Sequence, residues 1–208
     1  MKRHLISIIA ASLVLSACAG GAGGLGSNLF RLAEAQREVK VGNNDMAVTP
    51  PRDWNRLRTQ RLFTDIRAVE DWTYNGPYLD TLSFVSGLKD GKSIVYQRKR
   101  DIRQVPIFDA RMTAPEIAAM LESYYRTRGG TLQFEQTGLK PRELMGYPGF
   151  QYDFEYLSGD ELWRRGRAVG AVIDTRLYLI LVDGTRQHYF DEVLPDFEAI
   201  VASARLVG

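Results

Sequence analysis

The side chains that most often carry covalent chemistry are scarce here: one cysteine, Cys18, and two histidines, His4 and His188, in 208 residues. His4 belongs to a basic N-terminus, so Ser-His-Asp or Cys-His catalysis in the remainder depends on His188 alone. His188 precedes Tyr189-Phe190 at the expected start of the last helix. A histidine there caps the helix or sits half-buried more readily than it serves as a base. No G-x-S-x-G elbow occurs, and S-x-x-K stands without its β-lactamase companions. Asp153/Glu155 and Asp191/Glu192 have the spacing of a polar strand face and a polar helix face, not of a metal-ligand set. Gly129-Gly130 and the glycines between 20 and 26 do not join a strand to a helix as a phosphate loop does. The residues therefore predict no catalytic constellation, no metal and no cofactor. Two carboxylates brought together from distant strands are the hydrolytic route that the sequence leaves open.

Cys18 is better placed for a different chemistry. Met1-Lys2-Arg3-His4 is basic, residues 5–15 are apolar apart from Ser7 and Ser12, and Leu15-Ser16-Ala17-Cys18 follows. A positive start, a short apolar run and small residues before a cut describe a secretory signal. The run is too short to cross a bilayer as a helix. Leu15-Ser16-Ala17-Cys18 resembles the lipobox of bacterial lipoproteins, where an aliphatic residue and two small ones precede an obligatory cysteine. An ordinary signal peptide cut at the small residues around Ala17 and Ala19 is the competing reading. The lipobox resemblance implies cleavage before Cys18, diacylglycerol on its sulfur and an acyl chain on the new amino group. Two or three chains hold a protein stably, whereas one holds it marginally. Ala19 follows the cysteine, and in Gram-negative bacteria the family's sorting rule then favours the outer membrane. Residues 1–17 are thus expected as signal peptide, and residues 18–37 as lipidated cysteine and Gly-rich flexible tether. Residues 38–208 are expected as one globular domain.

Two patches could bind something. Arg98-Lys99-Arg100-Asp101-Ile102-Arg103 is the concentrated basic run, either a solvated loop or a contact for lipid phosphates or an acidic partner. Trp72, Tyr74 and Tyr78 flank an Asn-Gly turn, and they either pack in the core or line a docking face. The whole chain carries 27 basic and 25 acidic side chains, and the two extra cations, Lys2 and Arg3, lie in the signal. The balance that remains removes the electrostatic case for nucleic acid.

These residues need elements to hold them. Residues 29–37 have no deciding period. Met46–Thr49 reads as a short strand stopped by Pro50-Pro51, and Arg61–Val69 as another. Asp71 to Tyr74, then Tyr78 to Val85 across the Asn75-Gly76 turn, and Ser93 to Arg98 after Lys89-Asp90-Gly91, make an expected meander. Thr113-Ala114-Pro115-Glu116 is a capping-box sequence opening a helix at about 114–128, with Ile117, Met120, Leu121 and Tyr124 as its apolar stripe. Thr131–Thr137 reads as strand. Phe150, Tyr152, Phe154 and Tyr156 alternate with polar residues, which predicts a strand with one buried face. Leu162–Ile173 follows. Leu177–Val182 is wholly apolar and so central. Phe190, Val193, Leu194, Phe197, Ile200 and Val201 predict a last helix at about 187–204, which Pro195 should kink or restart.

Strands, a helix, antiparallel strands and a final helix make an α+β fold, an antiparallel sheet covered by helices. From Gly149-Phe150-Gln151-Tyr152 to His188-Tyr189-Phe190 the chain is similar to the PsbP and DcrB class of α/β/α sandwiches. Asp71-Trp72-Thr73-Tyr74-Asn75-Gly76-Pro77 resembles a stretch of uncharacterised proteobacterial lipoproteins, a likeness that implies no activity. The function expected from all this is a non-catalytic envelope lipoprotein, membrane-bound through Cys18, acting as a binding or assembly module for an envelope protein on the periplasmic side. The alternative is a carrier or sensor of an apolar or lipidic ligand, which needs a cavity behind the Phe150–Tyr156 face.

Overall fold

The computed structural model describes residues 30–57, 68–128 and 130–208. The predicted signal, Cys18, the first part of the tether and nearly all of the strand expected at 61–69 lie outside these residues. The described chain runs β1 (Phe30–Ala33), β2 (Val39–Val41), β3 (Met46–Val48), β4 (Trp54–Leu57), β5 (Val69–Thr73) and β6 (Asp80–Lys89). It continues through α1 (Ala114–Arg128), β7 (Gln133–Pro141), β8 (Phe150–Leu157), β9 (Trp163–Ile173) and β10 (Arg176–Thr185) to α2 (Tyr189–Ser203) and β11 (Arg205–Leu206).

Eight strands form one antiparallel sheet in the order β1-β4-β5-β6-β10-β9-β8-β7, and β11-β3-β2 form a small second sheet. β10 sits between β6 and β9, so the apolar run Leu177–Val182 is central, as its composition requires. Its even positions, Tyr178, Ile180 and Val182, meet Phe190, Val193, Phe197 and Ile200 of α2 on one face. Its odd positions, Leu177, Leu179 and Leu181, join Ile117, Met120 and Leu121 of α1 on the other. One helix therefore covers each face, an α/β/α sandwich, and the α+β reading of the sequence holds.

Several local readings are corrected. The sheet reaches into the stretch read as tether: β1 pairs with β4, and Ala33 is buried. Ser93–Arg98 is a loop and not a strand, because its apolar residues Ile94 and Val95 pack onto the α1-face core instead of extending the meander. On α1 it is Tyr125, not Tyr124, that is the buried tyrosine. α2 runs through Pro195 without a restart. The capping box is half-formed: Glu116 accepts from the Thr113 N–H at 2.7 Å, but the Thr113 hydroxyl donates to the same carboxylate at 2.8 Å.

β9 is shaped to its neighbour. Gly166, Ala168 and Gly170 stand opposite Phe154, Tyr152 and Phe150 of β8. A Cβ on Gly166 would come within 2.2 Å of the Phe154 ring. The small residues let these rings lie across β9, where Phe154 stacks on Phe134 at 5.2 Å and meets Tyr125 at 5.0 Å.

Candidate functional site

On the α1 face, four adjacent strands, β5, β6, β10 and β9, turn polar at one end of the sheet. Cross-strand register sets Asp71 of β5 beside Ser83 of β6. The next row aligns Thr81 of β6, Asp183 of β10 and Gly166 of β9. The row after that brings Arg164 of β9 beside Tyr156 of β8. These side chains floor a cleft of about 480 Å³, within the size range of small-ligand sites. Tyr124 and Tyr125 of α1 form one wall, and Tyr78 and Asp160 stand at the rim.

The floor is held by hydrogen bonds. Asp183 is 7% exposed and accepts from the Tyr125 hydroxyl at 2.9 Å and the Tyr156 hydroxyl at 3.1 Å. Arg164 lies 3.7 Å from the same carboxylate and donates to the Tyr78 carbonyl at 2.5 Å and the Ser158 hydroxyl at 3.3 Å. Burial pushes the Asp183 carboxyl up to about 6, outweighing the Arg164 cation and both tyrosine hydrogen bonds. Burial also raises the two tyrosines, Tyr125 and Tyr156, so both remain donors across the physiological range. Asp71 accepts from the Ser83 hydroxyl at 2.6 Å, and burial raises its carboxyl too.

The loop bearing Tyr78 is built around a buried carboxylate. Asp80 accepts from the Thr73 hydroxyl at 3.0 Å, the Tyr74 N–H at 2.7 Å and the Asn75 N–H at 2.8 Å. Asn75 is tied to Glu192 of α2 at 2.8 Å. The expected tight Asn-Gly hairpin is thus a longer loop whose shape depends on Asp80.

The predicted aromatic face does not exist as a unit. Trp72 has no exposed surface: its ring packs edge-on to Phe84 at 4.8 Å on the α2 face, and its Nε1–H donates to Glu70 at 2.7 Å. Tyr74 is half-buried under the Arg52 guanidinium, 3.7 Å from the ring centre. Tyr78 alone projects, 82% exposed, beside the cleft. The Asn-Gly turn concealed this, because strand alternation sends Trp72 to the face opposite Asp71. Arg98, Lys99 and Arg100 are exposed, in a loop at the far end of β6 from the cleft. His188 occupies the N-cap position of α2 but makes no capping bond; its side chain is 70% exposed and lies edge-on to Tyr189.

Apart from Tyr78, the cleft residues were missed in the sequence, although a signal was present. Asp71, Thr81, Ser83 and Asp183 each occupy positions that alternation assigns to a covered face. Chemically the cleft offers fixed donors and acceptors: the carboxyls of Asp71 and Asp183 with that of Asp160 at the rim, one guanidinium, hydroxyls and aromatic walls. Among the described residues no three His, Cys, Asp or Glu side chains gather as a metal site would need.

No family model and no curated protein matches the chain. Among solved structures, it is similar to the solution structure of cyanobacterial PsbP (CyanoP) from Synechocystis sp. PCC 6803. The TM-score is 0.52 and the identity 15%, over 90% of this chain and 98% of that one. A crystal structure from Bacteroides thetaiotaomicron VPI-5482 gives 0.45 and 6%, over 83% of this chain and 48% of that one. LpqN, involved in cell envelope biogenesis of Mycobacterium tuberculosis, gives 0.41 and 13%, over 88% and 94%. The first likeness establishes a PsbP-like fold and nothing about activity.

Proposed function

We propose that the chain is a non-catalytic binding or assembly module of the cell envelope, held at the membrane by lipid on Cys18 and facing the periplasm, and that its partner engages the polar cleft. The observation that carries this reading is the cleft itself: Asp183, Tyr125, Tyr156 and Arg164 form a mutually bonded floor. Such groups present directional donors and acceptors without having to reorganise when something binds. The histidine at 188 opens the helix of the opposite face, and the lipobox commits the cysteine to acylation. Neither supplies the cleft with a nucleophile or base.

The chemistry of the cleft also supports the first of the two sequence readings over the second. An apolar occupant or acyl chain would strip the remaining water from Asp71, Asp183 and Arg164 and add no hydrogen bond to those the floor already makes. A polar segment of an envelope protein can satisfy them. The test is capture from detergent-solubilised membranes, with wild-type protein and Thr81→Trp as bait. Thr81 lies on the floor and is half-buried, so the indole fills the cleft from a position outside the packed core. The wild type should retain a protein that Thr81→Trp loses by about tenfold or more, with His188→Ala behaving as wild type. Equal capture by Thr81→Trp, with its fold verified by circular dichroism, would move the working surface elsewhere.

A further inference from the structure

The segment from Lys89 to Met112 carries seven basic and three acidic side chains, while the chain from Cys18 onward is balanced. The rest of the protein therefore holds a matching excess of acid, and the cations are concentrated in one place. Arg111 pairs with Asp109, but the four cations between residues 98 and 103 are uncommitted. Arg52, Arg56, Arg142, Arg164, Arg167 and Arg176 all hold carboxylates. Arg98, Lys99, Arg100 and Arg103 make no ion pair among the described residues, and all four are exposed.

This loop is a constructed feature. Its two ends are buried in the α1-face core by Ile94, Val105 and Phe108, which are 7%, 1% and 0% exposed. The Gln97 side chain closes the neck, donating to the Val105 carbonyl at 2.8 Å and accepting from the Val105 N–H at 2.9 Å. Gln104 then donates to the carbonyls of Arg98, Lys99 and Asp101 at 3.0–3.3 Å. Asp101 accepts from the Arg98 N–H at 2.8 Å. What this framework displays at its tip is Ile102, wholly exposed, between Arg100 and Arg103.

We infer that the Arg98–Arg103 loop docks on an anionic lipid surface, with Ile102 entering the boundary between headgroups and acyl chains and the four cations contacting phosphates. A fully exposed apolar tip flanked by cations matches that boundary in both polarity and charge. Guanidinium groups also bond phosphate oxygens in a two-pronged geometry. An acidic protein face would neutralise the cations but would need a pocket of its own for the convex isoleucine. β6 begins at Asp80 beside the cleft and ends at Lys89 beside the loop, a length of about 30 Å for ten residues. Docking through the loop therefore turns the cleft away from the membrane. The inference rests on the proposed Cys18 anchor only for proximity: the twelve residues from Cys18 to Leu29 span at most about 40 Å.

The test uses the chain from residue 18 onward with Cys18→Ser, which contains every described residue and no lipid. It is mixed with vesicles of phosphatidylcholine alone, or of phosphatidylcholine with phosphatidylglycerol, and sedimented. Binding should require phosphatidylglycerol and fall as salt rises. Arg98→Glu with Arg100→Glu should weaken it by about 100-fold or more, since two cations at the surface become two anions. Ile102→Ser should weaken it several-fold. Circular dichroism checks that both variants fold. Equal binding to the two vesicle types, no binding to either, or indifference to both variants would overturn the inference. So would binding of polyglutamate as tightly as phosphatidylglycerol with no effect of Ile102→Ser, which marks an acidic-protein site. None of these results bears on lipidation of Cys18, which is read separately from the processed N-terminus.

Discussion

Asp183 is a carboxyl that little water reaches, closed in by two tyrosine hydroxyls. Its carboxyl titrates near 6 in the folded chain against 3.8 unfolded, with Arg164, Asp71, Tyr125 and Tyr156 as the facing groups. Between those values the folded state keeps a proton that the unfolded state has released. The folded state then binds more protons, so stability falls as pH rises from about 4 to 6 and levels off above, by on the order of 2–3 kcal/mol. Groups such as Asp109, held down to about 2 chiefly by the Arg111 side-chain hydrogen bond, act with the opposite sign at lower pH. The difference between variants isolates Asp183. Urea unfolding of wild type and Asp183→Asn from pH 4 to 7 should show a clearly larger fall in the wild type, because Asp71, also raised by burial, acts with the same sign in both proteins. Parallel curves would mean that the carboxylate stays ionised throughout this range.

At the scale of elements, β9 determines how closely β8 and α1 can assemble. Gly166 has an ordinary backbone conformation, so its requirement for glycine is one of space, set by the Phe154 ring above it. That ring is stacked on Phe134 and wedged against Tyr125, whose hydroxyl holds Asp183. An added methyl must displace the whole group. Gly166→Ala should therefore cost about 1–3 kcal/mol, as overpacking of a filled core does. It should also weaken partner capture at the cleft, because Tyr125 moves. Thermal unfolding that leaves the midpoint within about a degree would show that the aromatic layer yields freely. The glycines of β9 are plain in the sequence, but their purpose depends on which rings of β8 lie opposite.

For the molecule as a whole, the proposed anchor and the proposed loop contact are complementary. With an acidic remainder, the basic loop at one end of β6 and the cleft at the other, the two proposals together would orient the body at a membrane by more than a tether. The anchor itself has a direct measurement. Mass spectrometry of the mature N-terminal peptide should find Cys18 with diacylglycerol on sulfur and an acyl chain on nitrogen, and Cys18→Ser should leave the precursor unprocessed. An unmodified Cys18 in mature protein would end the lipoprotein reading, while the cleft and the loop would keep their own tests.

By itself the amino-acid order determined whatever depends on near neighbours. The alternation from Phe150 to Tyr156 and the three-and-four spacing from Phe190 to Val201 each record one buried face. The unbroken Leu177–Val182 run records two. From these the α+β class, the central strand and both helices were legible, and the concentration of charge at Arg98–Arg103 was visible as composition. Tertiary structure alone decided which face each strand turns to which helix, and how residues far apart in the chain fall into rows. That pairing buried Trp72, stripped the Asn-Gly turn of its supposed aromatic platform and recruited Phe30–Ala33 into the sheet. It also gathered Asp71, Ser83, Thr81, Asp183 and Arg164, separated by up to 112 positions, onto one floor. Periodicity is written within a strand, whereas register between strands is set only when the cores on both faces close.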